Sequence, residues 1–211
     1  MPDELAVAWV VVGLGNPGPE YAASRHNVGF RVAAVLAAAA GATFRGPERG
    51  ALWARATLGG QPALLLQPQE YMNRSGPPAA AWLAALGLTP DRLLVISDDL
   101  DLEVGRVKVT RGGGDGGHRG IRSLGEALGG FPFSRVRLGI GRPVGDEATA
   151  YVLAPPGPGE AEVLRAAEIR AAEAGRAVLA EGLAAAMNRF NPWPPPDGNP
   201  REEMIGPKPE G

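Results

Sequence analysis

Apolar and polar positions along the chain fall into short segments whose period switches between two and about 3.6 residues. Positions 8–13, Ala-Trp-Val-Val-Val-Gly, form a β-branched apolar run closed by glycine, the pattern of a buried strand. After a glycine- and proline-rich turn, 28–40 has the composition of a helix that stops at Gly41. Segments 52–58 and 63–67 predict two strands joined across Gly59-Gly60, a hairpin signal. Positions 75–86 predict a helix with Ser75 as N-cap, prolines in its first turn and Gly87 at its end. A buried strand at 93–97, an alternating one at 106–110, a helix at 118–128 and a strand at 136–140 follow. The alanine-rich amphipathic stretch 159–187 predicts one long helix. Strands interleaved with helices, plus one hairpin, indicate an α/β fold. The expected form is a single-domain three-layer sandwich, with helices flanking a twisted, mixed and mostly parallel β-sheet.

The length of 211 residues suits one domain with one core. From Asn191 onward proline is dense and apolar periodicity ends, so residues 1–190 are expected to form the domain and 191–211 a flexible tail. No uninterrupted apolar stretch approaches the ~20 residues of a membrane span, and the first eight residues carry acids rather than a basic leader. Cysteine is absent, which removes disulfides, thiolate nucleophiles and cysteine-based zinc sites together. The expectation is a soluble cytoplasmic protein without a membrane partner.

Net charge conceals an asymmetry. Between Gly105 and Arg142 eight bases face only Asp115 and Glu126, a local charge of +6, which leaves −8 for the rest of a chain whose total is −2. Such a chain can hold a polyanion on one face without coating itself in nucleic acid. A dispersed set of solvated arginines would give the same count.

Gly13-Leu14-Gly15-Asn16-Pro17-Gly18 matches G-x-G-x-x-G directly after a strand, the dinucleotide-binding pattern. That fold also needs an acidic residue about 20 positions on, and no Asp or Glu lies between Tyr21 and Pro47. Pro17 and Pro19 supply no backbone N–H for a pyrophosphate. No nicotinamide cofactor is therefore expected. The loop does place Asn16 just past a strand end, and Arg25-His26-Asn27 at the start of the next helix. The chain has only two histidines, His26 and His118, and His26 lies among polar neighbours.

Three more polar clusters fall where strands should end: QPQEYMNRSG from Gln67, SDDLDL from Ser97, and GGGDGGHRG from Gly112. With GLGNPGPEYAASRHNVGF these resemble, in order and approximate spacing, the motifs of the bacterial peptidyl-tRNA hydrolase family. The resemblance spans most of the chain from Val10 to about Arg142. It implies His26 as catalytic base, Asp98 as its orienting carboxylate, and Asn16 and Asn73 at the substrate. It implies Tyr21 and Tyr71 as substrate-binding residues flanking the cleft, with Met72 and His118 beside them, and Lys108 and Arg137 as holders of tRNA phosphate. One position departs: the family usually reads Gly-His-Asn-Gly where this chain has Gly117-His118-Arg119-Gly120. Arginine only donates hydrogen bonds, whereas asparagine also accepts. Arg119 can therefore keep a donor role toward the substrate, with added charge.

The residue types suit ester hydrolysis. A largely neutral imidazole can take a proton from water, and a carboxylate on its other nitrogen fixes the tautomer. Asp98 is first after the strand, with Asp99 and Asp101 as physically plausible substitutes. No G-x-S-x-G elbow is present, so direct water attack is simpler than an acyl-enzyme. Two histidines without cysteine argue against a preformed zinc site, and no metal or other cofactor is expected. Asn73 can donate to an oxyanion, and both asparagines can read peptide N–H and C=O groups. His118 has no carboxylate assigned to it and is expected to be structural or substrate-contacting. The implied substrate is peptidyl-tRNA and the expected state a monomer. The competing reading is a catalytically weak or silent RNA-binding protein of the same fold.

Overall fold

The computed structural model describes residues 6–143, 145 and 147–195. Seven strands form one sheet: β1 (Trp9–Gly13), β2 (Arg45–Glu48), β3 (Ala51–Leu58), β4 (Gln61–Pro68), β5 (Leu93–Asp99), β6 (Val107–Arg111) and β7 (Ser134–Gly139). Their order is β2-β3-β4-β1-β5-β7-β6. The central ladders β4–β1, β1–β5 and β5–β7 are parallel, and the flanking ladders β2–β3, β3–β4 and β7–β6 are antiparallel. The hairpin across Gly59-Gly60 is β3–β4.

Alternation along the strands sends side chains into two cores. Val11, Leu65, Leu94, Ile96, Val136 and Leu138 face α1 (Val28–Ala39) and α5 (Pro158–Glu181). Val10, Val12, Leu64, Leu66, Leu93 and Val95 face α2 (Gly76–Leu86) and α3 (Arg119–Leu128). The three-layer sandwich read from the sequence is the fold observed.

Helix α1 can enter at the strand ends because two glycines meet there. A Cβ on Gly13 would lie 2.2 Å from the Gly29 carbonyl oxygen, and one on Gly29 would lie 2.5 Å from that of Ile96. A Cβ on Gly15 would strike the Phe30 ring at 2.6 Å. Gly13 and Gly15 of the opening motif are thus consumed by helix–sheet packing, which brings the start of α1 against β1 and β5.

Several expectations need correction. Residues 159–187 do not form one helix: Gly182, at φ 88°, separates α5 from α6 (Leu183–Phe190). The turn lets α6 return and bury Ala186 and Phe190 in the core. Ser75 occupies the cap position of α2 but makes no cap bond; its hydroxyl donates to the Met72 carbonyl at 2.9 Å. The short edge strand β2 and the helix α4 (Ala148–Leu153) have no counterpart in the sequence reading. The tail expected from Asn191 lies beyond Pro195 outside the described residues. Its first residue is pinned to the edge strand, where the Asn191 amide accepts from the Val109 N–H at 2.7 Å and donates to the Val109 carbonyl at 3.0 Å.

Candidate active site

The loops after β1, β4 and β5 end on one side of the sheet, where open parallel sheets place their sites. His26 lies on a single 3₁₀ turn, Arg25–Asn27, immediately before α1. Both flanking residues are anchored. Asn27 accepts from the Asn16 N–H at 2.9 Å and donates to the Asn16 carbonyl at 2.9 Å, so its amide clamps the backbone of the strand-end asparagine. Arg25 forms a two-pronged pair with Glu160, with Nε to Oε1 at 2.7 Å and Nη2 to Oε2 at 2.6 Å. Its Nη1 also donates to the carbonyls of Tyr151, Ala154 and Pro155. The imidazole is thereby held from both sides.

His26 Nδ1 meets both carboxylate oxygens of Asp98, at 2.8 and 2.9 Å, and the pair is buried, His26 at 9% and Asp98 at 3% exposure. A carboxylate can only accept, so Nδ1 carries the proton and Nε2 keeps its lone pair. Nε2 has no partner among the described residues, and His26 lines the cleft. Asp99 and Asp101, the physical substitutes for Asp98, are engaged elsewhere. Asp99 accepts from Arg137 and from the Asp101 N–H, and Asp101 pairs with Arg142.

His118 departs from its expectation, because it does have a carboxylate. Its Nε2 donates to Asp98 Oδ1 at 2.9 Å while its Nδ1 accepts from the Gly120 and Ile121 N–H groups at 3.1 and 3.3 Å, capping α3. The glycine-rich loop 112–117 carries the chain back from β6 to the end of β5, a return that local sequence does not reveal. Arg135 fixes that loop by donating to the carbonyls of Gly113 and Gly114. With Nδ1 accepting, His118 is a neutral donor, and Asp98 serves two imidazoles. Burial disfavours charge on Asp98, but His26 and His118 outweigh it and hold its carboxyl well below the ordinary range.

One ligand atom each from His26, Asp98 and His118 lie within 4.8 Å of one another. Both nitrogens facing Asp98 carry the protons they donate, and the remaining nitrogen of His118 is taken by backbone. The cluster is assembled as a hydrogen-bonded triad, and a metal would have to displace both protons.

Asn16 is buried, and its Oδ1 accepts from the Met72 N–H at 2.7 Å. That bond sets the amide orientation and leaves Nδ2 without a partner among the described residues. The cleft of about 790 Å³ is lined by Asn16, Tyr21, His26, Tyr71, Met72, Asn73, Asp98, His118, Arg119 and Arg137, so ten of the eleven expected site residues converge. Tyr71 is 61% exposed at its rim. Lys108 does not line this cleft; it stands directly opposite Arg137 in the β6–β7 ladder, on the same face of the sheet. That face is open at its β6 edge, which explains the alternation of 106–110: Val107 and Val109 enter the core and Lys108 and Thr110 do not.

Sequence reasoning missed the wall made by Ala148, Thr149, Val152 and Leu153 of α4, and the anchoring roles of Arg25 and Asn27. The run Arg25-His26-Asn27 was a visible signal, but their partners are 11 to 135 residues away.

An α/β sandwich whose imidazole is backed by a carboxylate, beside a fixed amide donor, has the equipment of a hydrolase. No serine or threonine among the described residues hydrogen-bonds to that imidazole, which points to water as the nucleophile. Residues 10–199 match the family model for peptidyl-tRNA hydrolase. The chain is 44% identical over 189 residues to the peptidyl-tRNA hydrolase of Moorella thermoacetica, covering 89% of this chain and 100% of that one. It is 45% identical over 192 residues to that of Mycobacterium tuberculosis, covering 90% and 100%. The crystal structure of peptidyl-tRNA hydrolase from Acinetobacter baumannii matches with a TM-score of 0.82 at 33% identity, over 90% of this chain and 97% of that one. The chain belongs to the peptidyl-tRNA hydrolase family.

Proposed function

We propose that the chain hydrolyses the ester between peptide and tRNA in peptidyl-tRNA, returning free tRNA to translation, with water activated at His26 Nε2. The observation that carries this reading is the buried His26–Asp98 pair with Nε2 left open to the cleft. His26 takes a proton from water as the oxygen attacks the ester carbonyl, and Asp98 stabilises the imidazolium. Asn16 Nδ2 donates to the oxyanion, while the exposed Asn73 adapts to peptide groups. Collapse of the tetrahedral intermediate expels the ribose oxygen, which recovers the proton from His26. Tyr21, Tyr71 and Met72 bound the substrate, His118 sets Asp98, and Lys108 and Arg137 hold RNA phosphate. The silent RNA-binding alternative is not favoured, since the base and its carboxylate are paired.

His26→Ala is expected to lower turnover of N-acetyl-aminoacyl-tRNA by roughly 10²–10⁴-fold with fold and tRNA affinity retained. Full turnover by this variant would overturn the assignment of the base. A transition-metal chelator, with magnesium kept at the level tRNA folding needs, is expected to leave the rate unchanged; loss of rate restored by zinc would redirect the mechanism to a metal. No NAD binding is expected, because Gly13 and Gly15 of the motif are packed against Gly29 and Phe30 of α1. A cytoplasmic monomer suits a site that must admit a whole tRNA, and no helix among the described residues is long and apolar enough to cross a membrane.

A further inference from the structure

The charged groups of the cleft are almost all engaged. Asp98 serves His26 and His118, Asp99 pairs with Arg137, and Asp115 pairs with Arg122 at 2.8 Å. Arg135 is bonded to the glycine loop, and Arg111 donates to the Pro132 carbonyl. Arg119 is the exception. It lines the cleft, is exposed, and makes no hydrogen bond or ion pair among the described residues. An unpaired guanidinium beside a catalytic base is a donor set without an acceptor.

Sheet order decides which part of the substrate Arg119 meets. Asp98 lies one residue before the end of β5, the middle of the run β4-β1-β5-β7-β6. The amide-bearing residues Asn16 and Asn73 follow β1 and β4 on one side of it, and Lys108 and Arg137 lie on β6 and β7 on the other. Helix α3 packs beside the turn Met72–Arg74, and a Cβ on Gly120 would lie 2.6 Å from Met72 Sδ and 3.0 Å from Leu14. Arg119 therefore starts its helix beside the turn that carries Asn73.

Resting on the hydrolase reading, we infer that Arg119 is a specificity-determining residue that binds an acidic side chain in the peptide portion of peptidyl-tRNA. The planar guanidinium offers a fork that matches a carboxylate with two hydrogen bonds, which an asparagine at this position would not supply with charge. The chain accordingly favours peptides with Asp or Glu near the ester over the same peptides with Asn or Gln. The site is exposed, so the preference is modest, about 2- to 5-fold in kcat/KM at low salt, and fades at high ionic strength.

The test holds the tRNA constant. N-acetylated peptides carrying Asp, Asn or Lys at the second or third residue from the ester are attached to one phenylalanine tRNA, and kcat/KM is measured for each. The wild-type Asp:Asn ratio is expected to exceed one at one of these positions, to fall toward one in Arg119→Asn, and to give way to a Lys preference in Arg119→Glu. Because the readout is a ratio within each variant, a general loss of rate does not mask it. Ratios that are the same in wild type and both variants overturn the inference. An equal loss on every peptide, with a shallower dependence of binding on salt, overturns it in favour of phosphate contact. Absence of turnover by wild type on all of these substrates instead removes the hydrolase reading and the inference with it.

Discussion

At the scale of single residues, Asp98 holds the site together, because one of its oxygens accepts from both imidazoles. Asp98→Asn keeps one carbonyl oxygen able to accept from both imidazoles, but it removes the charge and sets an NH2 donor where the second oxygen faced His26 Nδ1. The expected result is a fall in kcat of roughly 10²–10⁴-fold with KM little changed, since the loss falls on the imidazolium formed during proton transfer. The same charge sets a pH dependence of stability. Asp98 is held below its ordinary value of 3.8 in the folded protein, so it binds its proton more readily when unfolded. Its stabilising contribution is complete above that value and is lost as pH falls below it. Unfolding by urea at pH 7 and pH 3 is expected to show the wild type losing part of its advantage over Asp98→Asn at the lower pH; a constant difference would refute the depressed value. These residues were legible because Asn16, Asn73 and Asp98 each sit in a polar cluster at a strand end and His26 lies among polar residues at a helix start. The second partner of Asp98 was not, since it depends on where the loop 112–117, with its five glycines, returns the chain to β5.

At the scale of elements, α4 shows how far a local pattern can mislead. Its six residues, Ala-Thr-Ala-Tyr-Val-Leu, include two β-branched residues and are too few to display a helical period. Pro155 and Pro156 stop the helix locally, but what satisfies its end is remote: Arg25 places a cation on the carbonyls of Tyr151, Ala154 and Pro155, with its guanidinium 4.1 Å from the Tyr151 ring centre. Only the fold reveals this link between the base-bearing turn and the cleft wall. The Arg25 and Glu160 side chains are 9% and 22% exposed, so breaking the pair leaves a charge poorly solvated. Glu160→Ala is expected to cost about 3 kcal/mol, or some 6–12 °C in Tm, and to raise KM through the loosened wall. A double-mutant cycle with Arg25→Ala is expected to give a coupling above about 1 kcal/mol; additive effects would mean the two act independently. The long helix failed for the opposite reason: alanine content carried the period through Gly182, whose positive φ turns the chain so that Phe190 can be buried.

At the scale of the whole molecule, charge counted along the chain differs from charge in space. Asp99 and Asp101 lie just outside the basic stretch in sequence but pair with Arg137 and Arg142 within it, which reduces its +6 to +4. The two bases opposed across β6 and β7 therefore differ: Lys108 has no ion pair among the described residues, and Arg137 masks a carboxylate. If both hold RNA phosphate, each replacement by Ala should lower the slope of log affinity for tRNA against log salt by about 0.7–0.9, equally for tRNAs of any sequence. Arg137→Ala should weaken binding more than Lys108→Ala, because it also exposes the negative Asp99 to the phosphate. Adding Asp99→Asn to Arg137→Ala should then recover part of the lost affinity without restoring the slope. Filter binding of deacylated tRNA across a salt series measures all three variants. Equal losses for the two single variants, with no recovery in the double, would mean that Asp99 does not face the RNA and that the cation pair acts as two interchangeable charges.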